Sequence, residues 1–227
     1  MVNTILYFGR KNCKYSKKLK NLLKRKSKKF YYIENTKRGG KFPIKKYLNK
    51  NYSYIICFRN LYILKDQLIK KAKIAAINFH PGTPNYRGIG CVNYALYENA
   101  KYFGSTCHLM SKKIDQGDIL NVQKFIIKKN DTIESTLKKT HKVMFAQAKF
   151  ILNYLFKDEG NLAKLIKKNK SIKWSKKIKK RKDLEKFYQI KINSSKKELK
   201  NKIRATNTKF FKPYVNLHNK RFVYSTN

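Results

Sequence analysis

The tightest constraint on how this chain can fold is an apolar run, Ile74-Ala75-Ala76-Ile77, that leads into Asn78-Phe79-His80 and stops at Pro81-Gly82. Such a run, bounded by a hard breaker, predicts a buried strand with polar groups at its carboxyl end. Side chains alternate across a strand, so Asn78 and His80 share one face and Phe79 takes the other. In open α/β sheets the carboxyl ends of the strands are where sites form. The stretch from Ile74 to Leu120 also holds His108, Asp115 and most of the glycines, so the rest of the chain is read around it.

On either side, strands and helices alternate. Thr4 to Phe8 predicts a first strand stopping at Gly9, and Ser16 to Lys26 a basic amphipathic helix with Leu19, Leu22 and Leu23 on one face. Lys29 to Ile33 reads as a short strand. Glu34 to Lys50 reads as irregular, with Gly39-Gly40 and Pro43 as breakers. Tyr52 to Phe58 is a near-continuous apolar run, the kind buried on both faces of a parallel sheet. Leu61 to Lys71 predicts a loop entering a short helix, and Val92 to Glu98 another helix. Gly104 to Met110 and Gly117 to Ile127 predict strands. Asp131 to Glu134 has the form of a capping box, with Glu134 three residues after the cap. Ile133, Leu137, Met144, Ala148, Ile151 and Leu155 then recur at helical spacing, which predicts a long core helix ending near Lys157. Lys164 to Lys182 reads as a basic surface linker that tucks its one aromatic, Trp174, back onto the core. A helix from Ser195 to about Ala205 and a hairpin turning at His218-Asn219-Lys220 close the pattern. The expected fold is α/β, a Rossmann-like, mostly parallel sheet with flanking helices, plus a short C-terminal helix and β-hairpin. The expected division is a catalytic domain over 1–160, a basic linker over 161–192 and a C-terminal extension over 193–227.

Composition bounds the function classes. The 227 residues suit one domain of ordinary size, and 41% are hydrophobic, enough for a sizeable core. The net charge of +44 points to anionic partners. Arg supplies only 8 of the 56 Lys+Arg residues, where a protein shaped to grip phosphates or base edges uses more of that bidentate fork. Compositional bias therefore outweighs nucleic-acid binding as the reading of the charge. Cys13, Cys57, Cys91 and Cys107 show no paired spacing, which argues against a zinc site or disulfide framework and fits a reducing cytoplasm. No apolar run approaches the ~20 residues that span a bilayer. The N-terminal residues read as a strand without the basic region of a signal peptide.

The residues at the strand end carry chemistry. An amide can donate to a developing oxyanion, and an imidazole beside it can move a proton near neutral pH. Asp115, in the turn Ile114-Asp115-Gln116-Gly117-Asp118, can orient or charge that imidazole. The alternatives are a satisfied structural histidine at position 80 and a simple turn cap at Asp115. His108, inside an apolar strand, reads first as packed core. Nothing resembles a covalent nucleophile in a Gly-x-Ser-x-Gly setting, so direct transfer to an external amine fits best.

The run Asn78-Phe79-His80-Pro81-Gly82-Thr83-Pro84-Asn85-Tyr86-Arg87-Gly88, followed by Gly104-Ser105-Thr106-Cys107-His108 and Ile114-Asp115-Gln116-Gly117-Asp118, resembles the folate-dependent formyltransferases. That family includes methionyl-tRNA, phosphoribosylglycinamide and sugar N-formyltransferases. The resemblance runs from about Tyr52 to Ile127, with a weaker echo over Met1 to Phe8. It implies 10-formyltetrahydrofolate as formyl donor and Asn78, His80 and Asp115 as catalytic residues. It implies a folate slot lined by Leu61, Tyr62, Ile63 and Leu64 and by Lys113, Ile114, Gln116 and Gly117. It places His108, Pro81, Gly82, Tyr86, Arg87 and Gly88 toward the amine acceptor. The Phe8-Gly9-Arg10-Lys11 junction lacks the Gly-Ser-rich phosphate loop of the phosphoribosylglycinamide enzymes. The residues after the long helix read as too short a stretch for the β-barrel that the resemblance to the methionyl-tRNA enzymes would imply.

The favoured acceptor is a nucleotide-linked amino sugar, with initiator methionyl-tRNA as runner-up. Hydrolysis of the donor and a basic nucleic-acid-binding protein on an inactive formyltransferase scaffold are the alternatives. Expected partners are an anionic small-molecule amine, tRNA under the runner-up reading, a second copy in a homodimer, and no membrane.

Overall fold

A computed structural model describes residues 1–36 and 43–225. Four strands, β1 (Val2–Arg10), β2 (Ser27–Asn35), β3 (Tyr52–Phe58) and β4 (Ala72–His80), run parallel in the order β2-β1-β3-β4. Two more, β6 (Tyr102–Leu109) and β7 (Ile119–Ile126), extend the sheet beyond β4 as antiparallel strands. The mostly parallel α/β sheet expected from the sequence is therefore the sheet observed, with an antiparallel edge. Between β4 and β6, the two-residue β5 (Arg87–Gly88) and helix α4 (Cys91–Tyr97) turn the chain back at the end where β4 finishes, so β6 runs the other way.

Alternation along the strands loads both faces. Ile5 and Tyr7 of β1, Tyr54, Ile56 and Phe58 of β3, and Ala75, Ile77 and Phe79 of β4 pack on one face. They meet Leu19 and Leu23 of α1 (Lys14–Lys26) and Met144, Ala148, Ile151 and Leu152 of α5 (Ile133–Leu155). Leu6, Phe8, Ile55, Cys57 and Ala76 pack on the other face, with Leu48 of α2 (Lys45–Leu48) and Leu68 of α3 (Asp66–Ile69). Truncating one fully buried aromatic here, such as Phe79, would cost roughly 3–5 kcal/mol. Asn78 and His80 continue the row begun by Ala76, so they emerge on that second face at the sheet's carboxyl end.

Several local expectations change. The strands β1 and β2 are longer than expected; β2 starts early because α1 passes straight into it, with Ser27 donating its hydroxyl to the Leu23 carbonyl at 2.9 Å. Within the segment 34–50, α2 forms, while Gly39 and Gly40 lie outside the described residues. The cap of α5 is Thr132, paired with Ser135, one residue later than the expected Asp131 and Glu134. Thr132 is the residue with extended backbone (φ −93°, ψ 175°), whereas Asp131 accepts from the Lys128 amide and from Lys139, each at 2.7 Å. The span 161–192, expected as a basic linker, contains regular elements. It holds α6 (Asn161–Asn169), β8 (Ile178–Lys179) and α7 (Arg181–Phe187), with Leu165 of α6 in the main core. Its leucines and isoleucines sit at helical spacing that the lysine content hid. Helix α8 (Lys196–Thr206) and the hairpin β9 (Tyr214–Leu217) and β10 (Lys220–Val223) appear where expected. The hairpin turns through His218 (φ 43°) and Asn219 (φ 60°), the two left-handed positions that a twist-matched two-residue turn requires.

Candidate active site

The parallel row β3-β4 and the antiparallel β6 bring the polar groups together. The β4–β6 register sets Asn78 opposite His108 and His80 opposite Thr106. Asn78 Nδ2 lies 3.1 Å from His108 Nε2, and His108 Nδ1 lies 2.7 Å from the Leu109 carbonyl oxygen. A carbonyl only accepts, so Nδ1 carries the proton and Nε2 is left as a lone pair that receives one N–H of Asn78. One ring thus fixes the direction of the Asn78 amide and leaves its second N–H unspent.

Asp115 reaches the same place from the loop between β6 and β7, at φ 48°. Its Oδ2 is 3.4 Å from His80 Nδ1 and its Oδ1 is 3.6 Å from His108 Nε2. Oδ2 also accepts from the Gly88 amide at 3.2 Å. The other nitrogen of His80, Nε2, is 2.8 Å from the Tyr86 carbonyl oxygen and 3.6 Å from the Cys91 thiol. Both ring nitrogens of His80 therefore face acceptors. Burial alone would push its pKa down, but the Asp115 carboxylate, Cys91 and the Tyr86 carbonyl outweigh burial and raise it to about 10. His108 goes the other way. Burial, seconded by the His80 charge, lowers its pKa to about 4, against the pull of Asp115. The two imidazoles are pushed in opposite directions, the kind of divergence that marks working sites.

His80, His108 and Asp115 are buried, and Asn78 alone of the four is partly exposed. Gly82 lies under His80, where an added Cβ would stand 2.8 Å from Nε2, and its carbonyl accepts from Thr106 at 2.7 Å. Pro81 is half-buried beside it. Tyr86 is half-buried and donates its hydroxyl to Glu98 at 2.9 Å.

Arg87, which the resemblance places in a loop toward the acceptor, is 4% exposed. Its guanidinium donates to the carbonyls of Ser175 (2.7 Å) and Ile114 (3.0 Å). Gly88 takes φ +86°, where an added Cβ would meet the Lys179 carbonyl at 2.2 Å.

The first of the two loops read as a folate slot rests on an apolar cluster. Leu64 is buried in it, with Tyr62 and Met110 packed against it. Leu61 is half-buried, while Ile63 and Ile114 are 73% and 47% exposed. Lys113 and Gln116 are exposed, and Gly117 is half-buried against Leu109. Asn60 folds the first loop by donating to the Tyr62 carbonyl at 2.7 Å, and buried Asn35 accepts from the Leu61 amide at 3.2 Å.

Trp174 is the residue whose place the sequence did not reveal. Its ring stands edge-on to His108 at 5.0 Å and to His80 at 5.7 Å between centroids. Its isolation in a lysine run was the signal that it tucks inward, but nothing in the sequence aimed it at the histidines. The Tyr86 and Leu109 carbonyls that set both imidazoles leave no trace in side-chain identity at all. Among the described residues no group of His, Cys, Asp and Glu has the geometry to hold a metal ion, and no helix is long and apolar enough to cross a membrane.

Comparison with known proteins bears on this geometry. The sequence profile of the family described as formyl transferase matches residues 8–148. The bifunctional polymyxin resistance protein ArnA of Wigglesworthia glossinidia brevipalpis is 38% identical over 78 residues, which is 34% of this chain and 12% of that protein. A methionyl-tRNA formyltransferase of Methylacidiphilum infernorum is 31% identical over 120 residues, 52% of this chain and 37% of that protein. The chain thus matches about an eighth to a little over a third of the length of these relatives. Among solved structures, a sugar N-formyltransferase from a Shewanella species aligns with TM-score 0.70 at 17% identity, covering 98% of this chain and 97% of that one. An N-formyltransferase from Helicobacter canadensis, in complex with folinic acid and dTDP-3-aminofucose, aligns with TM-score 0.67 at 19% identity over 96% and 85% of the two chains.

Proposed function

We propose that this chain, which belongs to the formyl transferase family, transfers the formyl group of 10-formyltetrahydrofolate to the primary amine of a nucleotide-linked amino sugar. The observation that carries the reading is the meeting of Asn78, His80 and Asp115 at the carboxyl end of β4, where Asn78 of the three is the one partly exposed. The acceptor class is supported by full-length likeness to sugar N-formyltransferases, one of them holding an aminofucose nucleotide.

The donor supplies an activated formyl carbon. The free N–H of Asn78 donates to the oxygen that becomes negative as the amine adds to that carbon. His108 holds the amide in the direction this needs. His80, with both nitrogens facing acceptors, works as a positive charge beside the oxyanion rather than as the base that takes the amine's proton. Asp115 maintains that charge. The amine gives up one proton in all, and the departing N10 of the folate gains one, so the transfer balances with the side chains unchanged. Exposed Ile63 and Ile114 supply apolar surface for the pteridine. The net charge of +44 draws a diphosphate-bearing acceptor inward.

Sequence relatives that are methionyl-tRNA formyltransferases favour tRNA as the second acceptor. The deciding experiment incubates the chain with 10-formyltetrahydrofolate and a panel of nucleotide-linked amino sugars, glycinamide ribotide and charged tRNA, and reads formylated product by mass spectrometry. A gain of one formyl on an amino sugar supports the proposal. Formate with no formylated amine, or product on tRNA alone, overturns it.

A further inference from the structure

We infer that residues 174–179 form a strap that positions the histidine pair, with Trp174 a positioning residue for the transfer reaction. The inference rests on the reaction proposed above, but its geometry stands apart from it. The strap is tied to the same two loops that carry Asp115 and the Tyr86 carbonyl. On one side, Trp174 Nε1 donates to the Gly117 carbonyl at 2.9 Å. On the other, the Ser175 amide donates to the Pro84 carbonyl at 3.0 Å, and β8 pairs with β5, the Ile89 amide donating to the Lys179 carbonyl at 2.9 Å. Arg87 stitches the two sides through Ser175 and Ile114, and its Nε is buried with no hydrogen-bond partner. A guanidinium is placed at that desolvation cost only where its remaining bonds are strong.

The indole then closes over both imidazoles edge-on. Its consequence is electrostatic. The groups facing His108 are Asp115 from the loop and His80 from β4, and those facing His80 are Asp115, His108 and Cys91 of α4. With water held off by the indole, His108 stays neutral, and its Nε2 lone pair keeps hold of the Asn78 amide. Opening the strap admits water, favours the charged form of His108 and places an N–H where Asn78 needs an acceptor. The amide is then released, and the oxyanion donor with it.

The test is a proton NMR titration of the histidine ring protons in wild type, Trp174→Leu and Trp174→Phe, alongside the pH profile of formyl transfer. In Trp174→Leu the His108 titration should move up toward the free-imidazole range. The acidic limb of the kcat profile should move with it, and kcat should fall about tenfold while KM for the folate changes less than about twofold. Trp174→Phe keeps a ring over the imidazoles and should restore most of the shift. An unmoved His108 titration in a folded Trp174→Leu protein overturns the strap. Should Trp174→Leu fail to fold, the Phe variant decides, since loss of the Gly117 bond alone must then move His108 by a smaller amount in the same direction. A wild type that formylates no amine overturns the reaction and leaves the titration to judge the strap.

Discussion

The Asp115 carboxylate stands 3.4 Å from His80 Nδ1, with each side chain less than a tenth exposed. Two opposite charges this far from water depend on each other, since either alone would bear an unrepaid desolvation cost. The pairing sets a pH dependence whose sign follows from the raised His80 pKa. Between the unfolded value near 6.5 and the folded value of about 10, the native state binds a proton that the unfolded chain has lost. The stabilisation is whole below pH ~6.5 and drains away as pH rises toward ~10. Asp115→Asn removes the partner charge. Thermal melts of both proteins from pH 6 to 10 should show wild type losing stability relative to the variant across that window. A constant difference would mean the pair is not charged.

The acid side should behave in the opposite sense. His141 on α5 is held neutral by burial and by the nearby charges of Arg59 and Arg10, which lower its pKa to about 3. Stability that depends on its neutrality is present above pH ~6.5 and lost as pH falls toward ~3. His108 acts the same way, with its pKa lowered to about 4. In His141→Gln one of the two contributions disappears, so urea midpoints measured from pH 7 to 4 should fall less steeply than in wild type. An equal slope would show that His141 is solvated.

Kinetics separate the roles of the two groups on β4. Asn78→Ala removes the oxyanion donor and should lower kcat by about 10²–10³ with donor affinity nearly unchanged. His80→Ala should also cost several kcal/mol of transition-state stabilisation. Unlike Asn78→Ala, it leaves Asp115 buried without its cation, so it should lower the melting temperature as well. Donor binding by fluorescence quenching and single-turnover rates would check both, and equal turnover in His80→Ala would remove it from the mechanism.

How much of this could be read from the sequence follows from where the information sits. The sheet was legible because β1, β3 and β4 are long apolar runs with clear stops, and the pairing of Asn78 with His80 because alternation is a rule of geometry. Their convergence with Asp115 followed from the family signature. The assignment of protons was not legible, because it depends on the carbonyls of Tyr86 and Leu109, which every residue type offers alike. The bonding of Arg87 was not legible for a related reason. Its sequence neighbours lie near a site, but its guanidinium is spent on the Ser175 carbonyl, 88 residues away in the chain. Helices α6 and α7 were hidden by lysines whose stems cover apolar surface while their charges stay in water.

Gly88 offers a test of the backbone framework. Its φ of +86° is one that side chains avoid, and an added Cβ would press on the Lys179 carbonyl at 2.2 Å. Its amide also donates to Asp115. Gly88→Ala should therefore destabilise the fold by roughly 1–3 kcal/mol and detach β8 from β5. Hydrogen exchange at the Ile89 amide, which donates to Lys179, should quicken in the variant. Gly160→Ala serves as control, since an added Cβ there meets nothing nearer than 3.4 Å.

Salt dependence distinguishes the two acceptor classes without any product assay. A net charge of +44 attracts both a sugar nucleotide and tRNA, so affinity alone does not separate them. The number of phosphates neutralised does, because each one releases counterions, and the logarithm of the binding constant falls with the logarithm of salt in proportion to that number. A diphosphate acceptor should give a slope of magnitude about 2 or less, whereas tRNA lying across the lysine-rich surface should give a magnitude above about 4. Titrating each acceptor from low to physiological salt yields both slopes. The amino-sugar reading requires that the sugar nucleotide retain most of its affinity at physiological salt while tRNA binding collapses. Survival of tight tRNA binding under those conditions would indicate specific contacts and move the acceptor to tRNA.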